Sequence, residues 1–194
     1  MESPELFKKY NDSRHWEQHP ELYAESFSEF LKSRNFDGQI IDIGSSTGRD
    51  VNVFNEQGFD VVGVDKSEED IKIAKEKFPE LNFVVGDVEE LPFDKDSIDA
   101  SYIINVIHYV DAKKALQEIF RVLKPGGVCF IHFNIDITDI EGNNDYHHGI
   151  EDILELVSQF EILQKNEFER IDESPIRHTH QIMELIIQKP LKNE

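Results

Sequence analysis

Chemistry in this chain is most legible at four places: Asp42, the glycine turn Gly44–Gly48, Asp65 and Asp87. The turn follows an apolar run, Ile40-Ile41 and Ile43, and leads into a helix-like pattern from Arg49. A strand that feeds a helix through such a turn offers free backbone N–H groups and a favourable dipole. Gly44 permits close approach of a ligand. Asp65 lies 21 residues after Gly44 and ends a second β-branched run, Val61 to Val64. A carboxylate there can accept both hydroxyls of a ribose. Asp87 ends the next run along the same edge, where it can accept an adenine amino proton while the Val88 N–H reaches a ring nitrogen. Each acid could equally be a solvated strand end. A dinucleotide would want G-x-G-x-x-G, but Ser46 and Arg49 stand at the second and third glycine positions. Two acids along one edge suit a nucleoside without phosphates.

Histidine is the default proton carrier near neutral pH, and the chain has eight. His108 follows the fourth apolar run and could act as a base or position an acceptor. His132 alternates with Ile131 and Phe133 and reads as a satisfied core or edge histidine. His147 and His148 fall in a polar stretch where an acceptor site could form. His178 and His180 share one strand face, which reads as a solvated face or a metal pair. His132, Asn134 and Asp136 alternate at a strand end, yet no ligand cluster has convincing metal spacing, so no metal is expected. Near the start, Tyr10 and Trp16 could cover a cation and Arg14 could meet a carboxylate; the same residues would serve in an arm that only caps the core.

The elements that must position these residues alternate. A helix face formed by Tyr23, Phe27, Phe30 and Leu31 precedes the first strand, Ile40 to Ile43. Ser67 reads as an N-cap, with Glu68, Glu69 and Asp70 in the first turn. Strands are expected at 60–64, 81–85, 97–104, 128–133, 160–171 and 181–188, and the segment 134–149 reads as a long loop. Strands separated by helices imply a parallel sheet with right-handed crossovers. The last two strands lack a helix between them and should pair antiparallel. The expectation is an α/β domain with a seven-stranded sheet, six strands parallel and the last antiparallel. No repeat, low-complexity segment or internal domain boundary is visible.

The chain has 194 residues, enough for one well-buried core. Lys+Arg number 20 and Asp+Glu 40, a formal charge of −20. That balance argues against a nucleic-acid backbone or an anionic membrane as the main partner. The single cysteine, Cys129, excludes an intramolecular disulfide and reads as a buried structural thiol. No apolar leader or membrane-length run is seen, so a cytoplasmic protein is expected.

Five segments, in order, resemble those of class I S-adenosylmethionine-dependent methyltransferases of the small, single-domain kind. They are Ile-Ile-Asp-Ile-Gly-Ser-Ser-Thr-Gly-Arg-Asp (40–50), Val-Val-Gly-Val-Asp-Lys-Ser (61–67), Gly-Asp-Val-Glu-Glu-Leu-Pro-Phe (86–93), residues 97–110, and Leu-Lys-Pro-Gly-Gly-Val (123–128). The resemblance implies a Rossmann-like doubly wound sheet in three αβα layers. It implies an N-terminal lid region (1–35), a cofactor-binding core (38–134) and an acceptor-side remainder (135–194). S-adenosyl-L-methionine is the implied cofactor. Asp42, Gly44, Ser45 and Ser46 would flank its methionine portion, and Asp65 with Lys66 its ribose. Asp87 and Val88 would hold adenine, the Ile103 carbonyl the amino group, with Asn105 and His108 nearby. Tyr10 and Arg14 would come from the lid. His108 and His148 are the candidate catalytic residues. Ser46 departs from the family's glycine. The implied reaction is methyl transfer to oxygen or nitrogen of a small-molecule acceptor, by a monomer or homodimer. A non-catalytic cofactor-binding partner protein and a nucleotide-dependent oxidoreductase are the alternatives.

Overall fold

The computed structural model describes residues 22–139, 144–147, 149–172 and 178–191. Helix α1 (Leu22–Ser33) leads into β1 (Gln39–Ile43), α2 (Arg49–Glu56), β2 (Asp60–Asp65), α3 (Glu68–Lys77) and β3 (Asn82–Val85). Then come β4 (Ile98–Ile103), a 3₁₀ turn (Ile107–Tyr109), α4 (Ala112–Val122), β5 (Leu123–Asp139), β6 (Asn144–His147), α5 (Ile150–Leu156), β7 (Glu161–Asp172) and β8 (His178–Gln188).

The strands form one sheet in the order β3-β2-β1-β4-β5-β8-β7, with β6 pairing to β5 off that path. β1 to β5 are mutually parallel, β8 runs antiparallel to β5, and β7 antiparallel to β8. Six of the seven principal strands therefore point one way, as expected. The stretch expected as a loop at 134–149 is different. β5 continues to Asp139, and β6 folds back on it. The physical reason is visible in the sequence: Phe133, Ile135 and Ile137 keep the two-residue alternation across Asn134 and Asp136.

Side-chain period divides the core into two layers. Tyr23, Phe27 and Leu31 of α1, Val51 and Phe54 of α2, and Ile71 and Ala74 of α3 pack with Ile40, Val61, Tyr102 and Phe130 on one face. Aromatic contact dominates there: Phe54 meets Tyr102 edge-on at 5.1 Å, and Tyr102 stacks on Phe130 at 5.3 Å. Leu116 and Ile119 of α4 and Ile153 of α5 cover Ile41, Ile103, Cys129, Ile131 and Leu185 on the other face. Cys129 is fully buried and burial pushes its thiol up to about 12, so it is structural. Local signals set the helix ends. Ser67 Oγ accepts from the Asp70 N–H, Asp111 accepts from the Lys114 N–H, and Asn35 leaves α1 in the left-handed conformation (φ 53°).

At the end of the sheet away from the strand carboxyl termini, Lys189 ties three elements together. Its buried ammonium donates to Asp96 Oδ1 (2.6 Å) and to the carbonyls of Phe120 and Leu123 (both 2.7 Å). It also lies 4.7 Å from the Phe120 ring. Lys189→Met keeps the stem but leaves Asp96 and two carbonyls unpaired. Urea unfolding is expected to show a loss of about 2–3 kcal/mol with the slope unchanged.

Candidate functional site

The turn after β1 is built from left-handed residues: Gly44 (φ 79°), Ser46 (φ 46°) and Gly48 (φ 87°). The N–H groups of Gly44 and Ser45 both donate to the Val64 carbonyl (2.8 and 3.0 Å), which welds the turn to β2. Asp65 finishes the weld. Its Oδ2 accepts from the Ser46 N–H and its Oδ1 from the Ser67 N–H, both at 2.9 Å. A Cβ on Gly44 would collide with Val106 Cγ2, so glycine is required there by space as well as by φ. Ser46 adopts the backbone conformation a glycine would, at a cost of order 1 kcal/mol.

Six expected residues line one cleft at the carboxyl ends of β1, β2 and β3: Gly44, Asp65, Lys66, Asp87, Val88 and Asn105. Ile43, Gly86, Val106, Tyr109 and Val110 complete it. The last three come from the turn after β4 and its continuation, within the segment 97–110 that the resemblance covers. Tyr109 is three-quarters exposed at the mouth. Asp87 Oδ1 accepts from the Glu89 N–H at 2.9 Å, which fixes the acid in an Asx turn. Each Asp65 oxygen keeps a second lone pair for a ligand.

The other expected residues lie around the cleft without lining it. Ile103 is fully buried at the end of β4. Ser45 is buried beneath the turn, its hydroxyl without a hydrogen bond, and Ser46 is exposed on its outer side. Asp42 is buried with Oδ2 unpartnered; burial raises its carboxyl well above the usual range, Asp50 and Asp65 add to the rise, and Arg49 opposes it. Arg49 grips Asp50 with two 2.7 Å hydrogen bonds, an arrangement the motif comparison did not anticipate. Tyr10, Arg14, Trp16 and His148 lie outside the described residues.

His108 is half-buried between the cleft and β5. Burial, then His180 and Arg170, push its pKa down to about 4, so it is neutral at pH 7. Asn134 connects it to β8: Asn134 Nδ2 is 3.4 Å from His108 Nδ1, and His180 Nδ1 is 3.1 Å from Asn134 Oδ1. One amide serving both rings must donate to one and accept from the other. With Nδ2 toward His108, the neutral His108 carries its proton on Nε2 and offers a donor rather than a base. His180 is buried, not on a solvated face. His132 is in the core, as expected, with Asn134 beside it and Glu184 Oε1 3.5 Å from its Nδ1. Glu184 was missed, although one acid inside Ile182-Met183-Glu184-Leu185-Ile186-Ile187 is a visible anomaly. Among the described residues no group of three or more His, Cys, Asp or Glu side chains could hold a metal ion.

Residues 41–131 match the family model described as Methyltransferase domain. An uncharacterized methyltransferase of Mycobacterium tuberculosis (strain ATCC 25618 / H37Rv) is 36% identical over 89 residues, 46% of this chain and 37% of that protein. A demethylmenaquinone methyltransferase of Paenarthrobacter aurescens is 38% identical over 90 residues, 46% of this chain and 36% of that one. The chain thus spans little more than a third of the length of these curated relatives. A crystal structure of an S-adenosylmethionine-dependent methyltransferase from Methanosarcina mazei superposes with a TM-score of 0.66 at 22% identity, covering 80% of this chain and 94% of that one. A protein of Pyrococcus horikoshii gives 0.69 at 20% identity, covering 94% and 96%. At these identities the superpositions establish the fold. The resemblance drawn from the five motifs, to class I S-adenosylmethionine-dependent methyltransferases, is borne out.

Two predictions follow from the buried and strained positions. Gly44→Ala should be destabilised through its collision with Val106. Ser46→Gly should stay within about 0.5 kcal/mol of the wild type, since relief of left-handed strain is offset by the added freedom of the unfolded chain. Urea unfolding of both variants checks the contrast. The second prediction concerns pH. Burial pushes the Glu184 carboxyl from its ordinary 4.5 up to about 8, against smaller opposing effects of Asn166 and Arg170. The folded protein keeps a proton that the unfolded chain loses above 4.5, so this group's contribution falls as pH rises toward 8. Burial, then Arg170, His108 and His180, holds His132 neutral well below its ordinary 6.5, so its contribution falls as pH drops beneath 6.5. The two oppose each other between these values. From pH 6.5 to 8 the Glu184 slope acts without that opposition, at up to about 1.4 kcal/mol per pH unit. Glu184→Gln should flatten that decline in unfolding free energy measured across the same interval.

Proposed function

We propose that this chain is an S-adenosylmethionine-dependent methyltransferase that methylates oxygen or nitrogen of a small-molecule acceptor. The observation that carries the reading is one cleft with Gly44 at its floor and two acids, Asp65 and Asp87, at adjacent strand ends. Asp65 would hold the ribose hydroxyls through its outward lone pairs, beside Lys66. Asp87 and the Val88 N–H would take adenine. The turn Gly44 to Ser46, over the buried Asp42 and Ser45, would cradle the amino-acid tail, with the Ile103 carbonyl and Asn105 meeting its ammonium group. Arg14 and Tyr10 would complete the site from the preceding segment. The bound cofactor supplies an electrophilic sulfonium methyl group. What remains for the protein is to align the acceptor and exclude water. Tyr109 at the mouth and Val106 on the floor are placed for the second task, and His108, as a neutral Nε2–H donor, for the first; His148 is kept as a further acceptor-side candidate.

The reading as a non-catalytic partner protein would be favoured by a disrupted turn at Ser46. Ser46 takes the left-handed conformation of the glycine it replaces and gives its N–H to Asp65, which supports an intact cofactor turn. The oxidoreductase reading lacks the glycines a pyrophosphate needs at 46 and 49. The relatives that act on demethylmenaquinone favour a small acceptor over a macromolecule, and the charge of −20 disfavours nucleic acid. No described helix is long and apolar enough to cross a membrane. A cytoplasmic monomer or homodimer accommodates these facts.

Calorimetric titration tests the core of the proposal. S-adenosylhomocysteine should bind and NAD should not. Asp65→Ala should weaken S-adenosylhomocysteine about 10–100-fold, through loss of the hydrogen bonds to a diol and of the two that hold the turn, with the secondary structure seen by circular dichroism retained. An affinity equal to that of the wild type would remove Asp65 from the ribose site.

A further inference from the structure

The cleft has two walls that the sheet does not join directly. Asp87 and Val88 follow β3, whereas Val106, Tyr109 and Val110 follow β4, and β2 and β1 lie between those strands. The strand ladder alone does not set the distance between the walls. Glu89 bridges them. On its own side it is locked to Asp87: its N–H donates to Asp87 Oδ1 at 2.9 Å, and the Glu90 N–H donates to the Asp87 carbonyl at 3.0 Å. Across the rim its Oε1 accepts from the Asp111 N–H at 3.0 Å, and its Oε2 accepts from the Lys114 ammonium at 3.3 Å. Asp111 directly follows Val110 and is the N-cap of α4. The turn before it is closed by the Tyr109 N–H, which donates to the Val106 carbonyl at 2.9 Å. The Lys114 side chain is 61% exposed, so its ion pair adds little, and the backbone N–H of Asp111 is the firmer tie. The loop after β3 is fastened to α4 a second time, beyond the cleft. Glu118 Oε2 accepts from the Leu91 N–H at 2.9 Å, and Arg121 donates to the carbonyls of Leu91 and Phe93 at 2.9 and 2.8 Å. That clasp already holds the loop to the protein. The tie through Glu89 acts where the cleft opens.

We propose that Glu89 is the positioning residue at the base-binding end of the cleft: by setting the gap between Asp87 and Val110, it makes the site select an adenine base. The inference rests on the methyltransferase reading and adds the residue on which the base preference depends. Asp87 Oδ1 is occupied by the Glu89 N–H, which leaves Oδ2 to accept an amino proton. The Val88 N–H then serves an unprotonated ring nitrogen. Adenine presents that pair, an amino donor beside a bare nitrogen. Hypoxanthine presents the reverse, an oxygen beside an N–H, and each would face a group of its own kind. Such discrimination needs the ring held edge-on to Asp87 and Val88, because hydrogen bonds weaken steeply when misaligned. Val106 and Val110 supply the apolar surface across the cleft that holds it so. Glu89 keeps Val110 in place through the adjoining Asp111 N–H.

Calorimetric titration of the full chain with S-adenosylhomocysteine and with S-inosylhomocysteine tests this. The wild type should prefer the adenosyl ligand about tenfold or more. Glu89→Ala keeps the backbone N–H to Asp87 but loses the tie to Asp111, and the preference should fall to about twofold or less. Glu89→Gln keeps an oxygen for the Asp111 N–H and should retain most of the preference. Glu118→Ala removes the clasp beyond the cleft and should lower stability while the preference stays that of the wild type. A Glu89 that only braced the fold would weaken both ligands equally, so an unchanged preference in Glu89→Ala overturns the proposal. Its loss in Glu118→Ala does the same, as does a wild type that binds both ligands alike. Should Glu89→Ala fail to fold, Glu89→Asp, too short by a methylene to span the rim, carries the same expectation and the same refutation. Failure of the wild type to bind S-adenosylhomocysteine would instead strike the methyltransferase reading.

Discussion

One carboxylate holds the working end of this protein together. Asp65 accepts a backbone N–H from the turn after β1 and another from the start of α3. Two segments that are distant in sequence are thereby fixed to the end of β2. The left-handed Ser46 depends on this, because its strain is offset by the hydrogen bond its N–H makes. Gly44 depends on it too. Held close under Val106, it has no room for a side chain. The cleft is the space these constraints leave, bounded by the turn after β4 on one side and by Asp87 on the other. The acid proposed to hold a sugar is thus also a structural keystone, and its outward lone pairs are positioned by its inward ones.

Much of this was legible in the sequence because the relevant signals are local. Alternation of apolar residues placed the strands, Ser67 and its acids placed the start of α3, and the spacing of Asp65 and Asp87 from Gly44 placed both on one edge. Where reading failed, tertiary context decided. Asn134 and Asp136 look like loop residues, but they sit at inward and edge positions of a strand that Ile135 extends. Val106 and Tyr109 lie in the segment 97–110 that the resemblance covers, but their contacts come from folding back on Gly44 and over the cleft, which spacing alone does not give. Arg49 reads as a missing glycine and is in fact the partner of Asp50. Glu184 was readable only as an anomaly, because nothing in its neighbours says that His132 will lie opposite.

The two faces of the sheet are unequal in kind. The face under α4 and α5 is almost wholly aliphatic. The face under α1 is aromatic near β1 and β4 and becomes polar at β5, β8 and β7. That gradient runs toward the ligand end, since His180 and Arg170 lie beyond Glu184 and His132 in that direction. Core chemistry that lowers stability is concentrated where the cleft opens, and the basal end is fastened by Lys189 instead. Stability and site chemistry are thus separated along the strands, not between domains.

The strand order carries a consequence for how the chain comes off the ribosome. β7 is made before β8, yet β8 lies between it and β5. β7 has no place in the sheet until its successor has emerged and inserted. The first five strands can assemble vectorially, whereas the last two must dock as a preformed hairpin against the waiting edge of β5. Glu184, His180 and Arg170 all arrive with that hairpin, so a nascent chain can form the cleft at the ends of β1 to β3 before the polar half of the sheet is in place.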